Sequence, residues 1–204
     1  MKLIKSLLVI TTVVLITACS SVPHSVDSES FAENITNKSY QSLLVLVANE
    51  DRNARVGAES RIVEALQQKG VAASASYNII SDMAALEQPN QLAEQMAKQG
   101  YDAIVTIRTV DEGYEFGYDD YLANRGFVYL LGGEPGAGTQ IGSLISWAGS
   151  GQYALLLTLW DIDSQTVVWK ATTDSVQTAS ESESIQSLAQ LVEERLGSQG
   201  IELK

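Results

Sequence analysis

Three short apolar runs separated by amphipathic stretches constrain the fold of this chain more than any other feature. The runs span residues 42–48 (SLLVLVA), 71–77 (VAASASY) and 103–107 (AIVTI), and the third continues toward Asp111. Short, partly β-branched runs indicate strands, and the first and third are apolar enough to be buried on both faces of a sheet. Because the connections are short, parallel strands joined by right-handed crossovers are the favoured packing.

Helical spacing between these runs predicts two helices. Gly70 and Gly100 stand where each helical pattern stops, which is the usual place for a left-handed residue, and Pro89 opens the second helix. Val56, Glu59, Ile62, Val63, Leu66 and Lys69 recur at helical spacing along one face of the first helix. In the second helix, the residues expected to face inward are Leu92, Ala93, Met96 and Ala97.

A hairpin and a last helix complete the predicted fold. Residues 153–162 and 166–173 read as strong strands around the turn sequence DSQ, and a helix is expected from near Ser182 to Gly197. The sequence therefore predicts an α/β domain with a mixed sheet of about five strands. A β-α-β-α-β core is followed by an antiparallel hairpin and a C-terminal helix.

The beginning of the chain has the order of a secretory signal. Lys2 and Lys5 precede an apolar run at residues 7–16, which is too short for a spanning helix. The run closes with ITAC (residues 16–19), which matches the bacterial lipobox, so the segment resembles a lipoprotein signal peptide. An ordinary signal peptide that happens to contain a cysteine is the alternative.

The resemblance implies that the Cys19 thiol receives a diacylglycerol, that the chain is cleaved before Cys19, and that the new amino group is acylated. Several acyl chains on one residue give stable anchoring. Ser20 is not the aspartate that retains such proteins at the inner membrane, so the outer membrane is favoured. Cys19 is the only cysteine in the chain, and no internal disulfide can form.

These observations divide the chain into three parts. Residues 1–18 are the signal peptide, and residues 19–38 carry the lipidated cysteine on a polar, serine-rich stretch that we expect to be a flexible tether. Residues 39–204 form a single α/β domain. The tether contains His24, which is the only histidine.

Charge excludes one class of partner. When Lys2 and Lys5 are removed with the signal peptide, the chain retains 11 basic and 25 acidic residues, which gives a net charge of −14. Nucleic acid is bound by neutralising phosphates with Lys and Arg, so this protein is not expected to bind it. Acidity serves solubility, or alternatively it fits a basic partner.

Nucleotide binding is not expected either. The sequence GEPGAGT (residues 133–139) resembles a phosphate-binding loop, but it lacks the lysine that reaches the β and γ phosphates. Glu134 would also repel phosphate, and a protein outside the cytoplasm has no ATP supply. A glycine–proline cluster of this kind is more often a turn.

The stretch between the two halves of the domain is unusual. The insertion at residues 113–151 contains ten of the fifteen glycines and is too long for an ordinary connection. It either adds a hairpin to the sheet or presents aromatic surface to another molecule, since aromatic residues are enriched where proteins make contact. The candidate contact residues are Tyr114, Phe116, Tyr118 and Tyr121.

Few residues offer chemistry. With His24 in the tether and Cys19 acylated, Ser-His-Asp and Cys-His systems are excluded, and zinc lacks its usual ligands. Asp161 and Asp163 form a carboxylate pair, but Asp-x-Asp at a hairpin more often bonds turn amides. Acidic residues that could bind calcium do not have EF-hand spacing, so no metal or cofactor is expected. They are Asp111, Glu112, Glu115, Asp119 and Asp120.

The segments that carry a further resemblance are YQSLLVLVANE (40–50), KGVAASASY (69–77), LAEQMAKQGYDAIVTI (92–107) and LLLTLWDIDSQTVVWKATT (155–173). Together they resemble a broad group of small bacterial envelope lipoproteins with an anticodon-binding-like α/β domain. This group is similar to activators of penicillin-binding proteins and to the curli secretion lipoprotein. The resemblance implies an outer-membrane lipoprotein whose periplasmic domain is a non-enzymatic module that binds a protein partner or its own copies. An enzyme acting on envelope glycans and a small-molecule or lipid carrier are the alternatives.

Overall fold

The computed structural model describes residues 24–33, 35, 37–48, 51–81, 89–111, 153–174 and 181–204. These ranges contain eight strands and three α-helices, and a 3-10 turn at Ser76–Asn78 follows the fourth strand. The elements are β1 (Val26–Phe31), β2 (Ser39–Tyr40), β3 (Leu43–Val47), α1 (Arg52–Gln68), β4 (Ala73–Ala75), α2 (Pro89–Lys98), β5 (Ala103–Asp111), β6 (Tyr153–Asp161), β7 (Thr166–Thr173), α3 (Glu181–Ser198) and β8 (Glu202–Leu203).

Six of the strands form one mixed sheet in the order β1-β7-β6-β5-β3-β4. β3 is parallel to both β4 and β5, while β6, β7 and β1 are each antiparallel to their neighbour. This confirms the predicted α/β class, the parallel core and the hairpin. β2 and β8 form a separate two-stranded parallel pair, which the sequence analysis did not anticipate.

The helices cover both faces of this sheet because its central strands are apolar on both sides. Val45 and Val105 point to the face on which α1 and α3 pack, and Leu44 and Ile104 point to the face on which α2 packs. The side chain of Trp169 is fully buried in the larger of the two cores, on the α1 and α3 face.

The helix ends follow the predicted signals with one exception. Asp51, which the sequence analysis did not single out, caps α1 by accepting hydrogen bonds from the backbone amides of Asn53 and Ala54. Gly70 (φ 89°) and Gly100 (φ 85°) are left-handed, as expected after α1 and α2. The prediction that Gly197 ends the last helix is wrong, because α3 continues to Ser198 and the left-handed residue is Gly200 (φ 70°).

The predicted flexible tether at residues 19–38 is also wrong in part. Residues 26–31 form β1, which pairs with β7 from Val26–Thr173 to Phe31–Trp169 and makes the sheet six-stranded rather than five-stranded. The second predicted strand is shorter than expected, because Ser76 begins the 3-10 turn. Within the described ranges, no helix is long and apolar enough to cross a membrane.

Candidate functional site

Most of the strand ends that could contribute residues to a binding site lie at one edge of the main sheet. The parallel strands β3, β4 and β5 end there, β7 ends there, and β1 and β6 begin there; we call this the carboxyl edge and the opposite one the amino edge. In open α/β sheets, ligands bind outside the carboxyl ends of the parallel strands. The carboxyl edge is defined by Val26, Val47, Ala75, Asp111, Tyr153 and Thr173.

A buried ion pair lies beneath the carboxyl edge. Arg55 and Glu59 are four residues apart on α1, and their side chains are 3% and 0% exposed. One Glu59 carboxylate oxygen, Oε1, accepts hydrogen bonds from Arg55 Nε at 2.9 Å, Ser76 Oγ at 2.8 Å and the Val47 amide at 3.1 Å. The other oxygen accepts from the Tyr77 amide at 2.9 Å. The pair therefore ties α1 to the ends of β3 and β4.

The same pair is closed to a ligand, because the Glu59 side chain is 0% exposed. Arg55 additionally donates to Ser76 Oγ at 3.2 Å and to the Ile80 carbonyl oxygen. A buried carboxylate whose two oxygens accept four hydrogen bonds is held by the fold and is shielded from substrate. The cluster is a structural clamp. The sequence analysis placed Glu59 on the inward face without a partner, and the available signal was Arg55 at the i−4 position.

A second polar network lies at the amino edge and is centred on Asp161, which is fully buried. Its carboxylate accepts from the Tyr40 hydroxyl at 2.8 Å and from the Ser164 amide and hydroxyl at 2.7 and 2.9 Å, and it pairs with Lys38. Burial alone would raise the pKa of Asp161, but Lys38, Ser164 and Tyr40 together hold it below its usual value. Burial and the bond to Asp161 raise the pKa of Tyr40.

This geometry argues against the proposed carboxylate pair. Asp161 is inside the domain and bonded to the turn residue Ser164, whereas Asp163 is exposed in the turn itself. A glycosidase needs both carboxyl groups to face one sugar-binding cleft. The Asp161 side chain instead stabilises the β6–β7 turn and joins it to Tyr40.

His24 is ordered against the domain rather than lying on a free tether. Its backbone amide donates to Ser187 Oγ on α3, and Ser25 Oγ donates to Asp174. The surrounding groove has a volume of about 320 Å³ and is open to solvent. Its other lining residues are Ser25, Val26, Gln190, Leu191, Glu194 and Arg195.

The environment of His24 predicts a pH-dependent stability. Burial lowers the pKa of His24 from 6.5 to about 4, so between these values the unfolded chain binds a proton that the folded protein does not. The contribution is complete above pH 6.5 and is lost as the pH falls toward 4. We expect the free energy of unfolding to drop by about 1–2 kcal/mol between pH 7.5 and pH 5.

Urea denaturation at the two pH values checks this prediction, with His24→Gln as the control. Because His24 is the only histidine, the variant should lose most of the difference between pH 7.5 and pH 5. An equal drop in the variant and in the original protein would assign the effect to carboxyl groups and contradict the prediction.

The remaining predicted residues lie outside the described residues. These are the lipidation site Cys19, the loop at residues 133–139 and the aromatic candidates Tyr114, Phe116, Tyr118 and Tyr121. Four of the five acidic residues considered as calcium ligands also lie outside the described residues. The fifth, Asp111, is the last residue of β5. Among the described residues, no group of three or more His, Cys, Asp or Glu side chains could hold a metal ion.

Comparison with known proteins found similar solved structures but no matching family. No family model matches this chain, and no curated protein matches it. The chain is similar to two solved PelC dodecamers from Paraburkholderia phytofirmans, one of them a point variant, at 16% sequence identity in both cases. The matches cover 87% and 85% of this chain and 99% and 96% of the PelC chains, with TM-scores of 0.44 and 0.43. Values this low identify no family.

Proposed function

We propose that this protein is a lipid-anchored lipoprotein of the bacterial outer membrane, and that its α/β domain is a non-enzymatic module that binds an envelope protein. The sequence ITAC at residues 16–19, after a basic start and a short apolar run, carries the proposal. Acyl chains on Cys19 would hold the domain at the bilayer. The net charge of −14 after cleavage argues against nucleic acid as the partner.

The insertion is the part of the chain to which we assign the contact. β5 and β6 pair along their whole length, so that Asp111 lies directly opposite Tyr153. Antiparallel strands in this register can be joined by two to five residues, yet 41 residues separate these two. The fold therefore does not require the length of this segment. Its aromatic residues suit a protein contact, because buried Tyr and Phe contribute much of the energy of interfaces.

The use of the buried carboxylates supports a role without catalysis. Glu59 and Asp161 are both enclosed in hydrogen-bond networks that join elements of the fold. A general acid or base has to reach the proton that it transfers. These two residues are shielded from any bound molecule, and Asp163 is exposed in the β6–β7 turn.

The aromatic residues of the insertion provide the test. Replacing Tyr114, Phe116, Tyr118 and Tyr121 together with serine should reduce the amount of partner that co-purifies from crosslinked envelopes by at least about tenfold, which corresponds to a loss of about 1.4 kcal/mol in binding. The melting temperature should stay within about 2 °C, because the predicted core lies elsewhere.

The matched control changes the same segment without removing aromatic area. Glu115→Ser with Asp119→Ser should retain most of the co-purifying partner, since charges at an interface rim tune orientation and association rate more than affinity. If the aromatic variant recovers the same partner in the same amount as the original protein, the insertion is not the contact and this assignment fails.

A further inference from the structure

The strand β1 shortens the link between the anchor and the domain. The sequence alone allowed a tether of residues 19–38, but His24 is bonded to α3 and β1 begins at Val26. Only five peptide units connect Cys19 to His24. Fully extended, they span at most about 16–18 Å. Whatever conformation these residues adopt, His24 cannot be farther than this from an acylated Cys19.

The link joins the domain at one corner. β1 is the outermost strand on one side of the main sheet, and its first residue, Val26, pairs with Thr173 at the carboxyl edge. The turn between β6 and β7 lies at the amino edge, about 25 Å away along the strands. Ala72, just before β4, lies at the amino edge on the far side of the sheet, about 30–35 Å from Val26 diagonally. Both distances exceed the reach of the link.

The described charges are also distributed unequally between the two edges. Four of the five described lysines lie at the amino edge, each paired with a carboxylate. The exposed charges at the carboxyl edge include the aspartates Asp27, Asp51 and Asp174 against the basic Arg52. Anionic lipid would attract the lysines. However, the link of at most about 18 Å is shorter than the distance of about 25 Å between the two edges, so the domain cannot invert to bring the lysines to the membrane. The lysines are Lys38, Lys69, Lys98 and Lys204.

We infer that the carboxyl edge is the face of the domain that lies against the phospholipid head groups, with the amino edge pointing away from the membrane. The inference rests on the proposed acylation of Cys19. The aspartates give this edge no affinity of its own for anionic lipid, so the covalent link holds it there. Residues 112–152 also leave and rejoin the described fold at this edge.

Single thiol labels on the full-length acylated protein test this orientation. Acylation consumes the only native thiol, so each introduced cysteine is unique. Asp27→Cys reports the carboxyl edge, Asp163→Cys the amino edge on the β1 side, and Ala72→Cys the opposite corner; all three positions are exposed. Spin-labelled protein is reconstituted into phosphatidylcholine vesicles that contain a nickel-chelating lipid, and the relaxation caused by nickel is measured.

The expected pattern is strong relaxation at residue 27 and weak relaxation at both other positions. Because dipolar relaxation falls steeply with distance and the amino edge is about 25 Å farther from the link, we expect the effect at residue 27 to be at least about fivefold larger. Equal effects at 27 and 163 with a weak effect at 72 would mean that the domain lies on its β1 side, which overturns the inference. Equal effects at all three positions overturn it as well.

Two further measurements separate the inference from the proposed function. Protein that does not float with the vesicles at all lacks the anchor, and both the proposed function and the orientation then fail. Inserting twenty Gly and Ser residues after Ser21 should bring the ratio between residues 27 and 163 close to one, since a flexible link of that length spans the whole domain. An unchanged ratio would overturn the link as the cause of the orientation.

Discussion

Replacing Glu59 with alanine is expected to destabilise the domain by about 3–5 kcal/mol, which is a large part of the stability of an ordinary domain. The substitution leaves Arg55 as a charge in the interior without the carboxylate that balances it. It also removes the acceptor from the amides of Val47, the last residue of β3, and Tyr77, which lies within the 3-10 turn. Breaking one half of a buried pair costs more than removing both halves.

Urea denaturation measures this effect, and the same helix supplies the control. Glu64→Ala changes an exposed glutamate on α1 and should stay within about 0.5 kcal/mol of the original protein. The double variant Arg55→Met with Glu59→Leu should recover much of the loss, because apolar residues of similar size can replace a buried pair. A Glu59→Ala protein as stable as the Glu64→Ala protein would show that the pair is solvated and not a clamp.

The parallel core could be predicted because each of its elements is locally consistent. Leu44 and Val45 face opposite helices, so β3 had to be apolar at every position, and an uninterrupted run is what the sequence shows. Gly70 and Gly100 marked the helix ends because a left-handed backbone favours glycine. Where local sequence and tertiary environment agree, pattern reasoning finds the element.

The strand β1 was missed for a physical reason. It is an edge strand whose sequence, VDSESF, has apolar residues only at its two ends. Val26 and Phe31 are five residues apart and so should face opposite sides, yet both pack against the α1 and α3 core. A bulge between Val26 and Ser28 shifts the pairing by one residue, so that both side chains face the same side of the sheet. The alternation of inward and outward residues therefore cannot be recognised in the sequence of β1. A polar edge strand of this kind resembles a flexible tether.

The bond of Asp161 to a turn amide was expected, but the wider polar networks were missed because they join residues far apart in the chain. Tyr40 and Asp161 are separated by 121 positions, and Glu59 and Ser76 by 17. Nothing in the local sequence indicates which buried oxygen an amide or hydroxyl will meet. The candidate contact surface differs in this respect, since its prediction rests on composition and length alone, and both are properties of the sequence.

The largest expected effect of any single substitution follows from removing Cys19, the proposed site of acylation. Cys19→Ser should abolish acylation, and mass spectrometry of the purified protein should find the leader uncleaved and no acyl mass. The original protein should begin at Cys19 with its acyl chains attached. Several chains bury many methylene groups at about 0.8 kcal/mol each, so the original protein should stay with the membrane through repeated washing.

Membrane partition alone would not decide this prediction, because the uncleaved leader in Cys19→Ser keeps its apolar run at residues 7–16. A matched variant that joins Ser20 to a cleavable leader without a cysteine removes this ambiguity. Its mature domain should leave the detergent phase for the aqueous phase, with a partition ratio changed by at least about a hundredfold. Its melting temperature should be unchanged, since the variant keeps every residue of the chain from Ser20 onward. A free Cys19 thiol in the original protein would remove the anchor and, with it, the geometric limit that the short link to His24 places on the domain.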